Sequence, residues 1–413
     1  MAFKAPAPSA SSAASSSKLT LATPLISSFR PSKVFSTPDY ISAPASPSAP
    51  PHHFTSLSFD DAGSHCVTSS TDESIHLYDT RTGRHQKVLH SKKYGVDLVT
   101  FTHRSSTVLY ASTKGDDTIR YHSLHDNRYI QYFRGHEKRV TILQMNPVDD
   151  TFLSGAVDES VKVWDLRSPT PQGSTPIHGH PCLSYDPSGQ VFALSISERR
   201  SILLYDARKF SDSPFLTISM DDDAYLSRFS MPPRQPVITS LSFSPSSSSG
   251  HLLVGTAGDQ HYVVDSYSGA YAWRLVGHKG LETIQRRPAD EEEEKSSPSS
   301  KPSAASLAES GSSGQELTWT PDGKYVLAGS ADGSILVWQI PDKDTQPQSA
   351  PGEMGRSSPE KMATLHPAAR LEGHAGPVRA LGFSPRTALL ASAGDALAFW
   401  LPTNTEGTRT GSV

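Results

Sequence analysis

A short strand-like run ending in an anchor residue, usually aromatic and often followed by aspartate, recurs along the whole chain. Its copies are "ESIHLYDT" (73–80), "DTIRYHSL" (117–124), "ESVKVWDL" (159–166), "RSILLYDA" (200–207), "QHYVVDSY" (260–267), "GSILVWQI" (333–340) and "ALAFWLPT" (396–403). The anchor positions are Tyr78, His122, Trp164, Tyr205, Val264, Trp338 and Trp400. The first three intervals are 44, 42 and 41 residues; the next three stretch to 59, 74 and 62 because each holds an insertion. Upstream of each anchor lies an apolar run such as "HCVTSS", "TFLSGA" or "YVLAGS", and before that a third such as "FTSLSF" or "VTILQM". Turn signals such as "DPSG" (186–189) and "PDGK" (321–324) separate them. β-Branched and aromatic runs bounded by Gly, Pro, Asp and Ser read as strands joined by tight turns. A repeat of about 40–45 residues carrying several strands predicts a blade of a β-propeller. One blade cannot bury both faces of its sheet, so blades stack radially around a channel. Seven anchors predict an all-β ring of seven blades.

The ends of the chain bear on how such a ring closes. "KVFS" (33–36) precedes the first full repeat and has no blade of its own. It is expected to supply the outermost strand of the last blade, removing an open sheet edge. The predicted organisation is then a disordered extension at 1–17 and an N-terminal segment at 18–53 that carries the closing strand. The propeller follows at 54–402, with a tail at 403–413. Residues 1–38 lack acidic side chains, as transit peptides do. A lone Arg30 with Pro6 and Pro8 is poor material for a basic amphipathic helix, and a closing strand argues against cleavage.

Composition fits this division. Hydrophobic residues make up 36% of the chain, beside 32 prolines and 28 glycines, so part of it is expected to be disordered. The polar insertions are near 221–236, 285–314 and 342–367; the second contains "DEEEEKSSPSSKPSAASLAESGSSG". The last two hold little apolar surface to offset the entropy of ordering, the first lengthens the connection from the fourth blade to the fifth, and the run Glu291–Glu294 reads as a solvating linker. The formal charge of −4 marks neither a nucleic-acid binder nor a membrane binder. No apolar run approaches the ~20 residues of a membrane-spanning helix, so a soluble chain is expected. Cys66 and Cys182 each sit in an apolar run and read as buried thiols of a reducing compartment. The adjacent His52 and His53 provide too few ligands for a metal, and no metal or cofactor is expected.

The stretch "GHEKRVTILQMNPVDDTFLSGAVDESVKVWDLRSP" (135–169) poses a sharper question, because it brings together the residue types of a hydrolytic triad. The chain resembles WD-repeat propellers over residues 33–402, and that resemblance implies a four-residue hydrogen-bond network here, with His136 after Gly135 in the loop entering a blade, Ser154 on the second strand and Asp158 in the turn after it. Trp164 stands on the third strand with an indole N–H to donate. A chain from Trp164 through Ser154 and His136 to Asp158 satisfies polar groups that would otherwise cost about 1–3 kcal/mol each. A catalytic serine needs exposure at a cleft, and no Gly-x-Ser-x-Gly elbow surrounds Ser154. The expectation is therefore a structural network and no enzyme. Other blades depart from the pattern: Tyr78 and His122 are the anchors of the first two, Arg199 takes the turn position in the fourth, and Ala328 replaces the serine in the sixth.

These features resemble WD-repeat propellers over residues 33–402. The phrases "SKKYGVDLVTFTH", "DDTIRYHSLHDNRYIQYFRGH" and "NPVDDTFLSG…WDLRSP" within 91–169, with "LISSFRPSKVF" (25–35) and "AFWLP" (398–402), closely resemble the WD repeat-containing protein 82 family. The likeness is dense from 54 to 169 and looser from 221 to 370. The resemblance implies a nuclear, non-catalytic subunit of the COMPASS histone H3 lysine methyltransferase complex. Its implied partners are a SET-domain histone methyltransferase and other COMPASS subunits, the phosphorylated C-terminal tail of RNA polymerase II, and subunits of the cleavage and polyadenylation factor. A generic WD-repeat adaptor, such as a ubiquitin-ligase substrate receptor, is the alternative reading. The residues themselves add a candidate partner-binding patch of Lys92, Lys93, Arg134, Lys138 and Arg139 on one rim, suited to a phosphorylated or acidic peptide. Ser297 and Ser358, each before a proline, are candidate phosphosites.

Overall fold

The computed structural model describes residues 21–36, 52–196, 200–210, 213–228, 233, 236–246, 249–280, 314–341 and 362–403. Their strands form seven sheets, each built around an antiparallel four-stranded meander. The innermost strand of each blade touches that of the next, and the seventh touches the first, so the ring closes as a seven-bladed β-propeller.

The burial gradient across a blade explains the sequence pattern. In blade 3 the second strand, Thr151–Ala156, is buried at every residue after the first, and the outer strand, Gly173–Pro176, alternates between half-buried and exposed. Second strands pack against neighbouring blades on both faces, so they read as continuous apolar runs. Outer strands keep one face in water and lose that signal. Blades 2 and 3 share a core of Leu109, Ile119, Phe133, Leu143, Phe152 and Trp164. There the Trp164 ring stacks on Phe152 with centroids 6.0 Å apart. Each fully buried Phe side chain contributes about 1.5–3 kcal/mol. The two cysteines are buried and form no disulfide.

Blade 7 is closed by Phe29–Ser36, which runs antiparallel to Ala396–Pro402 from Phe29 opposite Pro402 to Ser36 opposite Ala396. The closing strand therefore starts four residues before the expected 33–36. Arg30, Pro31 and Ser32 interrupt the apolar pattern there, and the register shifts between Pro31 and Lys33, where a proline is tolerated at an edge. A helical turn, Thr23–Ser27, precedes it and buries Ile26 against the blade 6–7 core.

The insertion at 342–367, expected to be unstructured, is corrected in part, and the shorter one at 221–236 also holds structure. Within 221–236, Asp223–Leu226 forms a helical turn with Leu226 buried. Within 342–367, Ala363–Leu365 forms a fifth strand of blade 5, parallel to Trp273–Leu275. Both were hidden because they are short and carry few apolar residues. Residues 1–17, nearly all of 285–314, Arg199, Glu291–Glu294, Ser297 and Ser358 lie outside the described residues.

Candidate functional site: a buried polar network beneath a charged rim

Blade 3 carries the four residues singled out by spacing. Trp164 Nε1 donates to Ser154 Oγ at 2.8 Å, and Ser154 Oγ lies 2.7 Å from His136 Nε2. His136 Nδ1 stands 3.0 Å from Asp158 Oδ2. That carboxylate also accepts from Glu137 N at 3.0 Å and from the Ser160 hydroxyl at 2.6 Å. A carboxylate at Nδ1 fixes the proton there, leaving Nε2 to accept from the serine. Local structure supports each position. The outer edge of the indole lies against Gly135, where an added Cβ would sit 3.0 Å from Trp164 Cη2, so a larger residue before the histidine would press on the ring.

The polarity of this chain is that of a triad, and burial disarms it. Ser154 is fully buried, and the His136 side chain is 1% exposed. Nucleophilic attack requires a substrate carbonyl at Ser154 Oγ, whose other neighbour is the indole N–H. Burial holds the His136 imidazole below its ordinary range, although Asp158 pulls it upward. Burial also pushes Asp158 up, but hydrogen bonds from Ser160, Glu137 and His136 win, and its carboxyl stays low. The pair is thus neutral imidazole beside carboxylate.

Blade 7 repeats the core of the network. Trp400 Nε1 donates to Ser392 Oγ at 2.7 Å, and His374 Nε2 lies 2.6 Å from the same oxygen. Gly373 again abuts the indole, with 2.7 Å between an added Cβ and Trp400 Cη2. Blade 6 has Ala328 in the serine position, and its indole is satisfied differently: Trp338 Nε1 donates to Val276 O at 3.1 Å. His278 there donates through Nε2 to Gly258 O at 2.9 Å and stacks on His261 with centroids 3.7 Å apart. Burial pushes His278 down to about 4.

Blade 5, whose anchor is Val264, holds a polar centre that spacing did not reveal. Arg274 on its fourth strand, Tyr271–Val276, donates through Nε and Nη2 to the carboxylate of Asp222 at 2.8 and 2.6 Å. Tyr262 donates to the same carboxylate at 3.2 Å, and the guanidinium carbon lies 3.7 Å from the Tyr225 ring centre. Arg274 Nη1 reaches Thr364 Oγ1 on the added strand at 3.2 Å. One buried guanidinium therefore ties both insertions to the blade. Burial raises Asp222 above the usual carboxylate range, although Arg274 and Tyr262 pull it down. An acidic triplet, "DDD" at 221–223, was the available signal, but nothing local pairs it with an arginine 52 residues away.

The rim residues separate into three kinds. Arg139 donates to Asp97 Oδ2 at 2.8 Å. Lys93 and Arg134 lie over tyrosine rings, 5.0 Å from the centre of Tyr94 and 5.7 Å from that of Tyr132. Lys92 and Lys138 are exposed. No group of three or more metal-ligating side chains is found among the described residues.

Comparison with known sequences agrees with the ring and its networks. The model for the WD domain, G-beta repeat, matches residues 48–79, 127–165, 315–339 and 365–398. The chain is 34% identical to WD repeat-containing protein 82 of Drosophila melanogaster over 85% of this chain and 91% of that protein. It is 36% identical to "COMPASS component SWD2" of Saccharomyces cerevisiae over 70% of this chain and 76% of the relative. Against "Set1 complex component swd2" of Schizosaccharomyces pombe the figures are 37% identity, 63% and 67%. With likeness of that extent, carried on a ring of seven blades with the Gly-His, Ser and Trp positions of the repeat in contact, the chain belongs to the WD repeat-containing protein 82/Swd2 family.

Proposed function

We propose that this chain is a non-catalytic scaffold subunit of a COMPASS-type histone H3 lysine methyltransferase complex in the nucleus. It binds the SET-domain methyltransferase and other COMPASS subunits, and it links them to transcribing RNA polymerase II through the phosphorylated C-terminal tail. It is shared with the mRNA cleavage and polyadenylation machinery. The observation that carries this reading is the likeness over most of the chain to two fungal proteins named as components of Set1 and COMPASS complexes. Burial of Ser154 supports a binding role over a hydrolytic one, with the His136–Ser154–Asp158–Trp164 chain acting as a structural brace. The rim cations Lys92, Lys93, Arg134 and Lys138 are the contact for phosphate; Arg139 contributes less because Asp97 neutralises it.

Affinity purification of the tagged chain, followed by mass spectrometry, tests this. A SET-domain methyltransferase and polyadenylation-factor subunits are expected in the eluate, and the absence of both overturns the reading. Lys138→Glu is expected to weaken binding to a phosphorylated polymerase-tail peptide about three- to tenfold; unchanged affinity removes Lys138 from the contact.

A further inference from the structure

The outer strand of blade 2, Arg128–Phe133, is an edge strand that carries three large exposed side chains. Tyr129, Ile130 and Tyr132 are 38%, 49% and 40% exposed, and no other described strand carries more than one large hydrophobic residue so exposed. A bulge explains the arrangement. Tyr132 pairs with Arg120 and Tyr129 with His122, and Ile130 is the extra residue. Because Arg120 and His122 share a face of their strand, the bulge turns both tyrosines to that face. Their ring centres are 5.4 Å apart.

Beneath the rings lies Arg120, a charged side chain only 2% exposed. Asp116 holds its two terminal nitrogens at 3.0 and 2.9 Å, and its Nε is enclosed with no acceptor in contact. The guanidinium carbon is 3.8 Å from the centre of Tyr94 and 5.8 Å from that of Tyr132. Lys93 and Arg134 flank the stack, each over a ring, and neither has a carboxylate partner among the described residues. Cation and ring thus alternate from Lys93 to Arg134 on a chain whose net charge is −4. Side chains held in this way lose little freedom when a ligand arrives.

We propose that this corner of blade 2 is a docking surface for an extended acidic segment of a partner protein. An aromatic side chain of that segment stacks on Tyr129 and Tyr132, and its carboxylates meet Arg134 and Lys93. Charge complementarity selects the acid, and the exposed rings select the aromatic group. Single-stranded nucleic acid offers similar chemistry, but it carries a phosphate at every step and needs a continuous run of cations, whereas Lys93 and Arg134 stand only at the two ends of the stack. The inference rests on the scaffold reading and shares Lys93 and Arg134 with the rim contact.

The test uses the purified full-length chain, a short unphosphorylated fluorescein-labelled peptide alternating Glu and Phe, and fluorescence anisotropy. Binding is expected to weaken about tenfold or more with Tyr132→Ala and with Arg134→Glu, to survive Tyr132→Phe, and to fall when a Phe-free Glu–Gly peptide replaces the probe. Both positions are exposed, and unchanged melting temperatures would show that the fold is intact. The proposal is overturned if the peptide does not bind, if the variants bind it as wild type does, or if oligouridylate binds more tightly and is lost with the same variants. None of these results depends on recovery of a methyltransferase, so the scaffold reading stands or falls separately.

Discussion

Blades 3 and 5 solve one problem in different ways. Each must satisfy buried polar groups near its third and fourth strands. Blade 3 does so with His136, Ser154, Asp158 and Trp164, all within a span of about one repeat. Blade 5 has Val264 where blade 3 has its indole, and it relies on an arginine paired with Asp222 and Thr364, 52 and 90 residues away. The contrast shows what local spacing can encode. A brace assembled from one repeat leaves a pattern that recurs; a clamp assembled from insertions leaves none.

Opening the ring asks whether the two blades belong to one cooperative unit. Deleting residues 21–36 removes the closing strand and the buried Ile26 and Phe29. Loss of those two side chains alone is expected to cost about 3–6 kcal/mol. Blades 3 and 5 should then melt together at a lower temperature, as reported by Trp164 and Trp273 fluorescence. An unchanged melting temperature, or two separate transitions, would mean that closure does not couple them.

Breaking the clamp comes next in size. Arg274→Met leaves Asp222 buried without its partner and is expected to destabilise the chain by about 3–5 kcal/mol in urea denaturation. The double substitution Arg274→Met with Asp222→Leu should recover most of that loss, because burial opposes the Asp222 charge even in the pair. If the double variant is no better than the single one, the pair contributes more than mutual neutralisation.

Ser154→Ala should cost about 1–3 kcal/mol for each of the two groups it orphans, the Trp164 N–H and His136 Nε2. Ala328→Ser, the reverse change in blade 6, should stay within about 1 kcal/mol of wild type because Trp338 already has an acceptor in Val276 O. Equal and opposite effects at the two sites would show that blade 6 lacks an independent solution.

Acid distinguishes the histidines of these blades from ordinary ones. Burial lowers His136, His278 and His374, so they stay neutral in the fold while the unfolded chain protonates near about 6.5. The unfolded state then binds more protons, and stability present above pH ~6.5 is lost as pH falls toward the folded values. For His278, lowered to about 4, the loss between pH 7 and 5 is about 1–2 kcal/mol. His278→Asn should flatten that part of the profile of melting temperature against pH; an unchanged slope would place the sensitivity elsewhere.

The regular spacing of the anchors made the seven blades legible, because the strands nearest each anchor are buried enough to keep a continuous apolar signature. The closing strand was legible only at 33–36, since the exposed Arg30, Pro31 and Ser32 separate that run from the buried Phe29. The fifth strand of blade 5 was hidden: "ATL" at 363–365 is too short to stand out from its polar surroundings. The brace of blade 3 could be read because its residues match the network that WD-repeat blades carry, and the structure repeats its Gly-His, Ser and Trp in blade 7. The tyrosine stack of blade 2 could not. It depends on a bulge that changes which residues share a face, and alternation alone assigns Tyr129 and Tyr132 to opposite sides.

The most direct measurement is intact-mass spectrometry of the purified chain after exposure to a fluorophosphonate, which phosphonylates activated serines in reach of solvent. A chain whose serine–histidine–aspartate line serves as an internal brace is expected to come through with no added mass. A stoichiometric adduct mapped to Ser154 would contradict the account, because it requires that hydroxyl to be both accessible and nucleophilic.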